Sequence, residues 1–334
     1  MIISRTPFRL SLFGGGTDYP GWYLKHGGAV LGMTINKYCY ITVRELPPFF
    51  EHKHRIVYSR IELVKEIDEI IHPAVRAVLK EHPVSVGIEV HHDGDLPARS
   101  GLGSSSSFTV GLLNALFALQ GRMSTKRQLA DETLRIEQKV IGEAVGSQDQ
   151  IWAAYGGFGR INFETDGSYE VQPVILSDAR KKELEESMIL CFTGIARFSV
   201  EVAKDKIANL EKKAQQLNDM RQMVDEAETI LMSPKRPIAE IGRLLHQSWM
   251  LKRELAGSVT TNVIDEIYDA AMAAGALGGK VLGAGGGGFM AFFVEPHKRA
   301  AVLDRLKHLF VVPIKIGSPG SRVIVYEPGG VVED

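Results

Sequence analysis

The chain has 334 residues, 45% of them apolar, a length that exceeds one typical core and points to two domains. Lys and Arg number 39 against 40 Asp and Glu, a net charge of -1. That balance gives no electrostatic ground for nucleic acid or an anionic membrane as the main partner, although a few local basic groups could still hold an anionic substrate.

The opening Met1-Ile2-Ile3-Ser4-Arg5 has no basic region followed by an apolar stretch, so it does not read as a signal peptide. Residues 2–13 alternate and stop at Gly14-Gly15-Gly16, a strand entering a loop. Residues 29–44, closing on Tyr38-Cys39-Tyr40-Ile41-Thr42-Val43, read as a second strand. A helix is expected over 62–80, with Leu63, Ile67, Ile70 and Ile71 on one side and an interruption near Pro73. Val84, Val86, Ile88 and Val90 alternate as a half-buried strand. Asp93 to Pro97 is a turn into a Gly/Ser loop, after which Phe108 to Leu119 is an apolar helix closed by Gly121. Residues 125–141 and Ser147 to Tyr155 read as two further helices.

Near 175–186 Pro173, Ser177 and a charged run separate two blocks, which sets domains at 1–180 and 181–334. Met188 to Phe192 opens the second block as a strand. Residues 200–231 keep a 3/4 spacing and predict one long amphipathic helix, packed on its own domain or against a second copy in a homodimer. Helices at 238–255 and 262–274 lead to Lys280-Val281-Leu282, a glycine loop and a strand at 289–294. A helix near 297–309 and strands near 311–316 and 322–326 finish the chain. Without a regular βαβ repeat, the class is α+β in two domains. Cys39 and Cys191 form neither a disulfide framework nor a metal-ligand cluster, and suit buried thiols in a reducing cytosol. No run of ~18 apolar residues occurs, so the expectation is a soluble cytoplasmic protein with no membrane partner.

Glycine is the outlier: 34 residues, clustered at 14–16, 101–103, 156–159 and 283–288. Four segments carry candidate chemistry. In Pro97-Ala98-Arg99-Ser100-Gly101-Leu102-Gly103-Ser104-Ser105-Ser106-Ser107, glycines let backbone approach a ligand and the loop feeds a helix N-terminus that favours anions. No Gly-Lys-[Ser/Thr] is present, so this is not a Walker A loop; a flexible turn with a serine N-cap is the plainer reading. In Pro7 to Tyr19, Asp18 could accept two sugar hydroxyl protons and Tyr19 offers a ring face and a hydroxyl. Asp18 capping the next segment is the plainer reading there. Ser147 and Gln150 have capping-box spacing, which puts Asp149 in a first helical turn, where an ionised carboxylate is favoured for stability or for chemistry. Glu137 falls mid-helix, usually a solvated position. The segment Lys280 to Phe289 approaches phosphate or substrate, or is a hairpin with unusual φ angles.

Taken together and in this order, the four segments resemble the GHMP kinase superfamily, named for galactokinase, homoserine kinase, mevalonate kinase and phosphomevalonate kinase. The resemblance implies a ribosomal protein S5 domain 2-like N-terminal domain and a ferredoxin-like C-terminal domain. It implies ATP phosphates at Ser100, Gly101, Leu102, Gly103, Ser104, Ser105, Ser106 and Ser107. Ser105 and Glu137 match the Mg²⁺-holding positions, Asp149 the catalytic carboxylate and Arg9 the arginine beside it. Asp18 and Tyr19 match the sugar-contacting pair of galactokinase-like members, and Gly15, Gly16, Gly157, Gly285 and Gly286 complete the expected substrate surface. Galactokinases have Gly-Glu-His-Thr-Asp-Tyr where this chain has Gly14-Gly15-Gly16-Thr17-Asp18-Tyr19, which leaves more room around the sugar. That string, the Gly/Ser loop and Thr193-Gly194-x-x-Arg197-x-Ser199 resemble the D-glycero-D-manno-heptose 7-phosphate kinases, with fucokinase-type domains the nearest competitors. A sugar phosphate acceptor needs cationic donors; Arg197, Arg99, Lys25 and Lys37 are the candidates. A ligand sensor without turnover and a diphosphate decarboxylase are the other readings, which the complete catalytic set and the Thr17-Asp18-Tyr19 signature respectively oppose.

Overall fold

A computed structural model describes residues 1–195 and 199–329. Its first sheet is built from β1 (Ile2–Phe13), β2 (Gly28–Glu45), β3 (His54–Val57), β4 (Ile61–Val64), β5 (Ile88–Gly94), β6 (Phe158–Phe163) and β7 (Tyr169–Pro173). The second is built from β8 (Met188–Phe192), β9 (Gly278–Val281), β10 (Phe289–Phe293) and β11 (Phe310–Val312), and β12 (Arg322–Tyr326) returns to the first. β1 and β2 pair antiparallel along almost their whole length, and β12 adds to the free edge of β1. The 18 residues of β2 serve two neighbours: Gly28 to Met33 pairs with β6, Cys39 to Glu45 with β5. β3 runs parallel to β5, and the second sheet is antiparallel in the order β11-β8-β10-β9.

Helices α1 (Pro20–His26), α2 (Pro73–Glu81), α3 (Ser104–Leu119), α4 (Lys126–Arg135) and α5 (Gln148–Tyr155) belong to the first half. The second half adds α6 (Asp178–Ser187), α7 (Ser199–Asn209), α8 (Ala214–Met232), α9 (Ala239–Glu254), α10 (Asn262–Ala273) and α11 (Arg299–Arg305). The α+β class is therefore as expected. The division at 180/181 is less clean. One apolar core runs from Ile2, Leu10 and Leu31 through α3 to Leu190 and Phe289, so both sheets share it, and β12 crosses back to β1. Both cysteines are buried free thiols, and no described helix is long and apolar enough to cross a membrane.

Four expected elements change. The 62–80 helix resolves into β4 and α2, because Pro73 suits only a helix start and the His72 side chain accepts from Val75 N at the N-cap. Glu62, expected on a helix, is instead buried and accepts hydrogen bonds from Tyr58 Oη and from the amides of Ile71 and His72. The strand expected over 84–90 begins only at Ile88, where β2 is long enough to pair with it through Glu45. The long 200–231 helix breaks at a 3₁₀ turn over Glu211–Lys213. That break lets Leu210, just past α7, and Leu217 and Met220 from α8 converge on Tyr19 and Trp22. The 125–141 helix ends as α4 at Arg135 and continues as a π-helical turn, Ile136–Ile141, which carries Glu137.

Candidate active site

The glycine loops position everything else. Gly101 and Gly103 have φ of 82° and 75°, and Gly103 is the left-handed N-cap of α3 with no capping side chain. The α3 amide groups therefore open toward the cleft without a side-chain acceptor. Loop 283–288 packs face to face on this turn: Phe289 N donates to Ser100 O at 3.0 Å, and a Cβ on Gly288 (φ 87°) would lie 2.2 Å from that oxygen. Gly288→Ala should cost more than about 2 kcal/mol, since backbone strain and a collision with main chain add; urea unfolding checks it.

Arg9 projects from β1, whose Arg9 N donates to Leu102 O at 3.0 Å and ties strand to loop. Its Nε and Nη2 donate to the two oxygens of Asp149 at 2.8 and 2.7 Å, and Nη1 donates to Gly101 O at 2.6 Å. This fork-to-fork pair fixes the carboxylate's orientation. Arg9 is 6% exposed at its side chain and Asp149 27%, so the carboxylate is the partner that reaches the cleft. Asp149 sits in the first turn of α5, as expected, but the capping box does not form. Ser147 Oγ instead accepts from Gln138 Nε2 and meets Tyr23 Oη, while Gln150 Nε2 donates to Glu137.

Asp18 is buried across the cleft. Gly16 N donates to Oδ1 and Gln148 Nε2 to Oδ2, each at 2.9 Å. Burial pushes its carboxyl up, and those two hydrogen bonds oppose the shift. A Cβ on Gly146 would lie 2.1 Å from Oδ2, so glycine there is what admits the carboxylate. Burial also pushes the neighbouring Tyr19 phenol up.

Glu137 is fully buried. Its Oε2 accepts from Ser106 Oγ at 2.9 Å and Gln150 Nε2 at 2.6 Å, while Oε1 has no hydrogen-bond partner among the described residues. Burial raises its carboxyl to about 7. Ser106, one residue further around the α3 turn, is the serine that hydrogen-bonds Glu137, while Ser105 is exposed in the cleft lining.

Arg9, Asp18, Tyr19 and Asp149 border one cleft of about 920 Å³, and Glu137 lies buried behind the Ser106 that lines it. Gly101, Gly103, Ser104, Ser105 and Ser106 line it, whereas Ser100, Leu102 and Ser107 turn into the protein, Ser107 Oγ donating to Pro7 O. Gly15, Gly16, Asp18 and Tyr19 line the other side. Gly157, Gly285 and Gly286 do not reach the cleft. The amide and carbonyl of Gly157 are used by Ser318 and Thr34, and Gly286 N donates to Val259 O; Gly283 and Ala284 take their place. Among the basic candidates, Lys25 is at the surface paired with Glu211 and Lys37 is outside the lining. Arg99 lines the end formed by Tyr58, His72 and His92. Arg197 lies outside the described residues.

Sequence reading missed two groups. One is aromatic: His72 stacks on Phe108 with centroids 4.5 Å apart, and Tyr58 and His92 meet that stack edge-on. Burial lowers His72 to about 4, so it is a neutral ring. The other comprises Lys206, Lys252 and Lys280, all buried at the cleft beside Arg9 and Asp18. Lys280 carried a signal, since it stands between Gly279 and Val281 in an otherwise apolar strand.

Comparison with known proteins places this geometry. Residues 64–157 match the GHMP kinases N terminal domain and 232–312 the GHMP kinases C terminal domain. A D-glycero-alpha-D-manno-heptose 7-phosphate kinase from Campylobacter jejuni is 29% identical over 319 residues, covering 92% of this chain and 93% of that one. An L-fucokinase/L-fucose-1-P guanylyltransferase from Bacteroides fragilis is 27% identical over 347 residues, covering 91% of this chain and 36% of that one. Among solved structures, a D-glycero-D-manno-heptose 1-phosphate kinase from Bacteroides thetaiotaomicron superposes with a TM-score of 0.80 at 25% identity, over 98% of this chain and 100% of that one. With the motif order, the paired Arg9 and Asp149 and both domain matches in agreement, the chain belongs to the GHMP kinase family of phosphotransferases that use a hydroxyl group as acceptor.

Proposed function

We propose that this chain transfers the γ-phosphoryl group of ATP to the anomeric hydroxyl of D-glycero-D-manno-heptose 7-phosphate, giving the 1,7-bisphosphate used toward GDP-activated heptose for bacterial surface glycans. The observation that carries the reading is the placement of Asp149, clamped by Arg9, between the anion-binding turn of α3 and the hydroxyl-binding carboxylate Asp18. The full-length similarity to the Campylobacter jejuni enzyme supports the heptose phosphate as acceptor.

In this reading Asp18 and Tyr19 orient the sugar, and Asp149 accepts the proton of the attacking hydroxyl. A sugar O–P bond forms as the bond from the γ-phosphorus to the ADP oxygen breaks. The uncapped amides of α3 and the Gly101 to Ser106 turn hold the phosphates, so positioning and electrostatics supply the rate. His72, Phe108 and Tyr58 offer flat faces for the base at the far end of the cleft. Glu137, whose Oε1 has no partner among the described residues, and the Ser105 and Ser106 hydroxyls of the facing turn are the groups that would hold a Mg²⁺ ion, which would neutralise phosphate charge. A kinase screen with heptose 7-phosphate, fucose, galactose and mannose tests the reading. Turnover of heptose 7-phosphate is the expected result; turnover of free fucose without it overturns the substrate.

A further inference from the structure

Three buried lysines take no part in the chemistry above. Lys206 on α7, Lys252 on α9 and Lys280 on β9 are 5%, 4% and 2% exposed, and all three border the cleft. Arg9 is already matched by Asp149. Among the described residues, Asp18 is the carboxylate whose field reaches all three lysines. Three buried amines facing one carboxylate cannot all hold their protons without a further anion, so a ligand that supplies one would complete the set.

Their donors are partly spent. An ammonium carries three N–H groups. Lys252 uses two on Val281 O and Gly283 O, at 2.7 and 2.8 Å, and Lys280 uses one on Leu12 O at 2.8 Å. These bonds fix where the two Nζ atoms sit. Lys206 makes no hydrogen bond among the described residues, so once an anion holds all three protonated, three, one and two N–H groups remain on Lys206, Lys252 and Lys280. Burial lowers Lys206 to about 8 and Lys280 to about 7, and lowers Lys252 well below its ordinary value, with mutual repulsion adding for the latter two. A bound oxyanion opposes each of these shifts.

We propose that Lys206, Lys252 and Lys280 together seat an oxyanionic group carried by the acceptor itself, so that the enzyme selects a phosphorylated sugar over a free one. This rests on the kinase reading of the same cleft. The nucleotide's terminal phosphate is a second source of the same chemistry. The fold favours the acceptor: Ala203, one turn before Lys206, packs with Tyr19 and Trp22 on the side of Asp18, away from the aromatic end.

The test compares wild type, Lys206→Met, Lys206→Arg and Lys280→Met on heptose 7-phosphate and on the unphosphorylated heptose, with melting temperatures to confirm folding. Inorganic phosphate binding is measured in parallel by calorimetry, with Mg²⁺ and a non-hydrolysable ATP analogue filling the nucleotide site. Each Met variant should lose about tenfold to a hundredfold in preference for the phosphorylated sugar, through KM, and a similar factor in phosphate affinity. Lys206→Arg should recover part of both. Equal losses on the two sugars through kcat would place the lysines on the transferred group and overturn the proposal, as would unchanged preference and phosphate affinity. If wild type turns over neither sugar, the function reading fails, and the phosphate-binding arm still decides whether the seat exists.

Discussion

Asp149→Asn lowers kcat by about 10²–10⁴-fold at saturating ATP and sugar, the range that a positioned general base supplies, and keeps nucleotide binding. The substitution preserves shape but replaces one acceptor oxygen with an amide that donates. Arg9 Nε and Nη2 both require acceptors at Asp149, at 2.8 and 2.7 Å, so Asn satisfies only one of them. The phosphate turn keeps its glycine packing and its link through Arg9 N to Leu102 O, so the nucleotide site stands. Because Arg9 and Asp149 act as one clamp, Arg9→Met combined with Asp149→Asn should cost little more than the worse single change. Single-turnover kinetics and equilibrium titration with an ATP analogue separate the two effects. A near-normal kcat for Asp149→Asn would remove Asp149 from the role of base.

The first-turn position of Asp149 was legible because its signal is local: the Ser147–Gln150 spacing marks a helix start, and the helix begins there although the capping box itself does not form. Asp18 was legible through the glycines that stop β1, whereas Arg9 was named only by the family resemblance. What could not be read is rotation. Four consecutive serines, Ser104 to Ser107, give no clue to which faces Glu137, since each step around a helix turns about 100°. The π-helical turn that carries Glu137 likewise has no signature in a 3.6-residue spacing, though such turns gather at functional sites. Lys206 and Lys252 were invisible for another reason. A lysine in an amphipathic helix reads as a solvated face, whereas Lys206 on α7 and Lys252 on α9 are buried at the cleft. Loop 283–288 was recognised as a close backbone approach: Gly283 and Gly288 approach the 100–103 turn and Gly285 approaches Val259, while Gly283 and Ala284 also line the cleft.

Glu137→Gln removes both a pH dependence and a metal dependence of stability. The folded carboxyl is raised by burial to about 7 from its ordinary 4.5, so between those values the folded chain holds a proton that the unfolded chain has released. Stability therefore falls as pH rises through this window, by at most about 3 kcal/mol, and is flat in this respect above it. A cation at Oε1 favours the ionised form and offsets the loss, so stabilisation by Mg²⁺ should grow from pH 6 to pH 8. Gln keeps the volume, can still accept from Ser106 or Gln150, and has no charge to desolvate. In Mg²⁺-free buffer at pH 8 the variant should melt at least about 2 °C above wild type, and added Mg²⁺ should raise wild type but not the variant. Ser106→Ala should weaken the Mg²⁺ response, because it takes away the hydroxyl beside the carboxylate. Thermal melts at pH 5.5, 6.5 and 8, with and without Mg²⁺, decide it. A Mg²⁺-dependent rise that survives Glu137→Gln at pH 8 places the cation elsewhere and leaves Glu137 as a buried acid that only braces the π-helical turn.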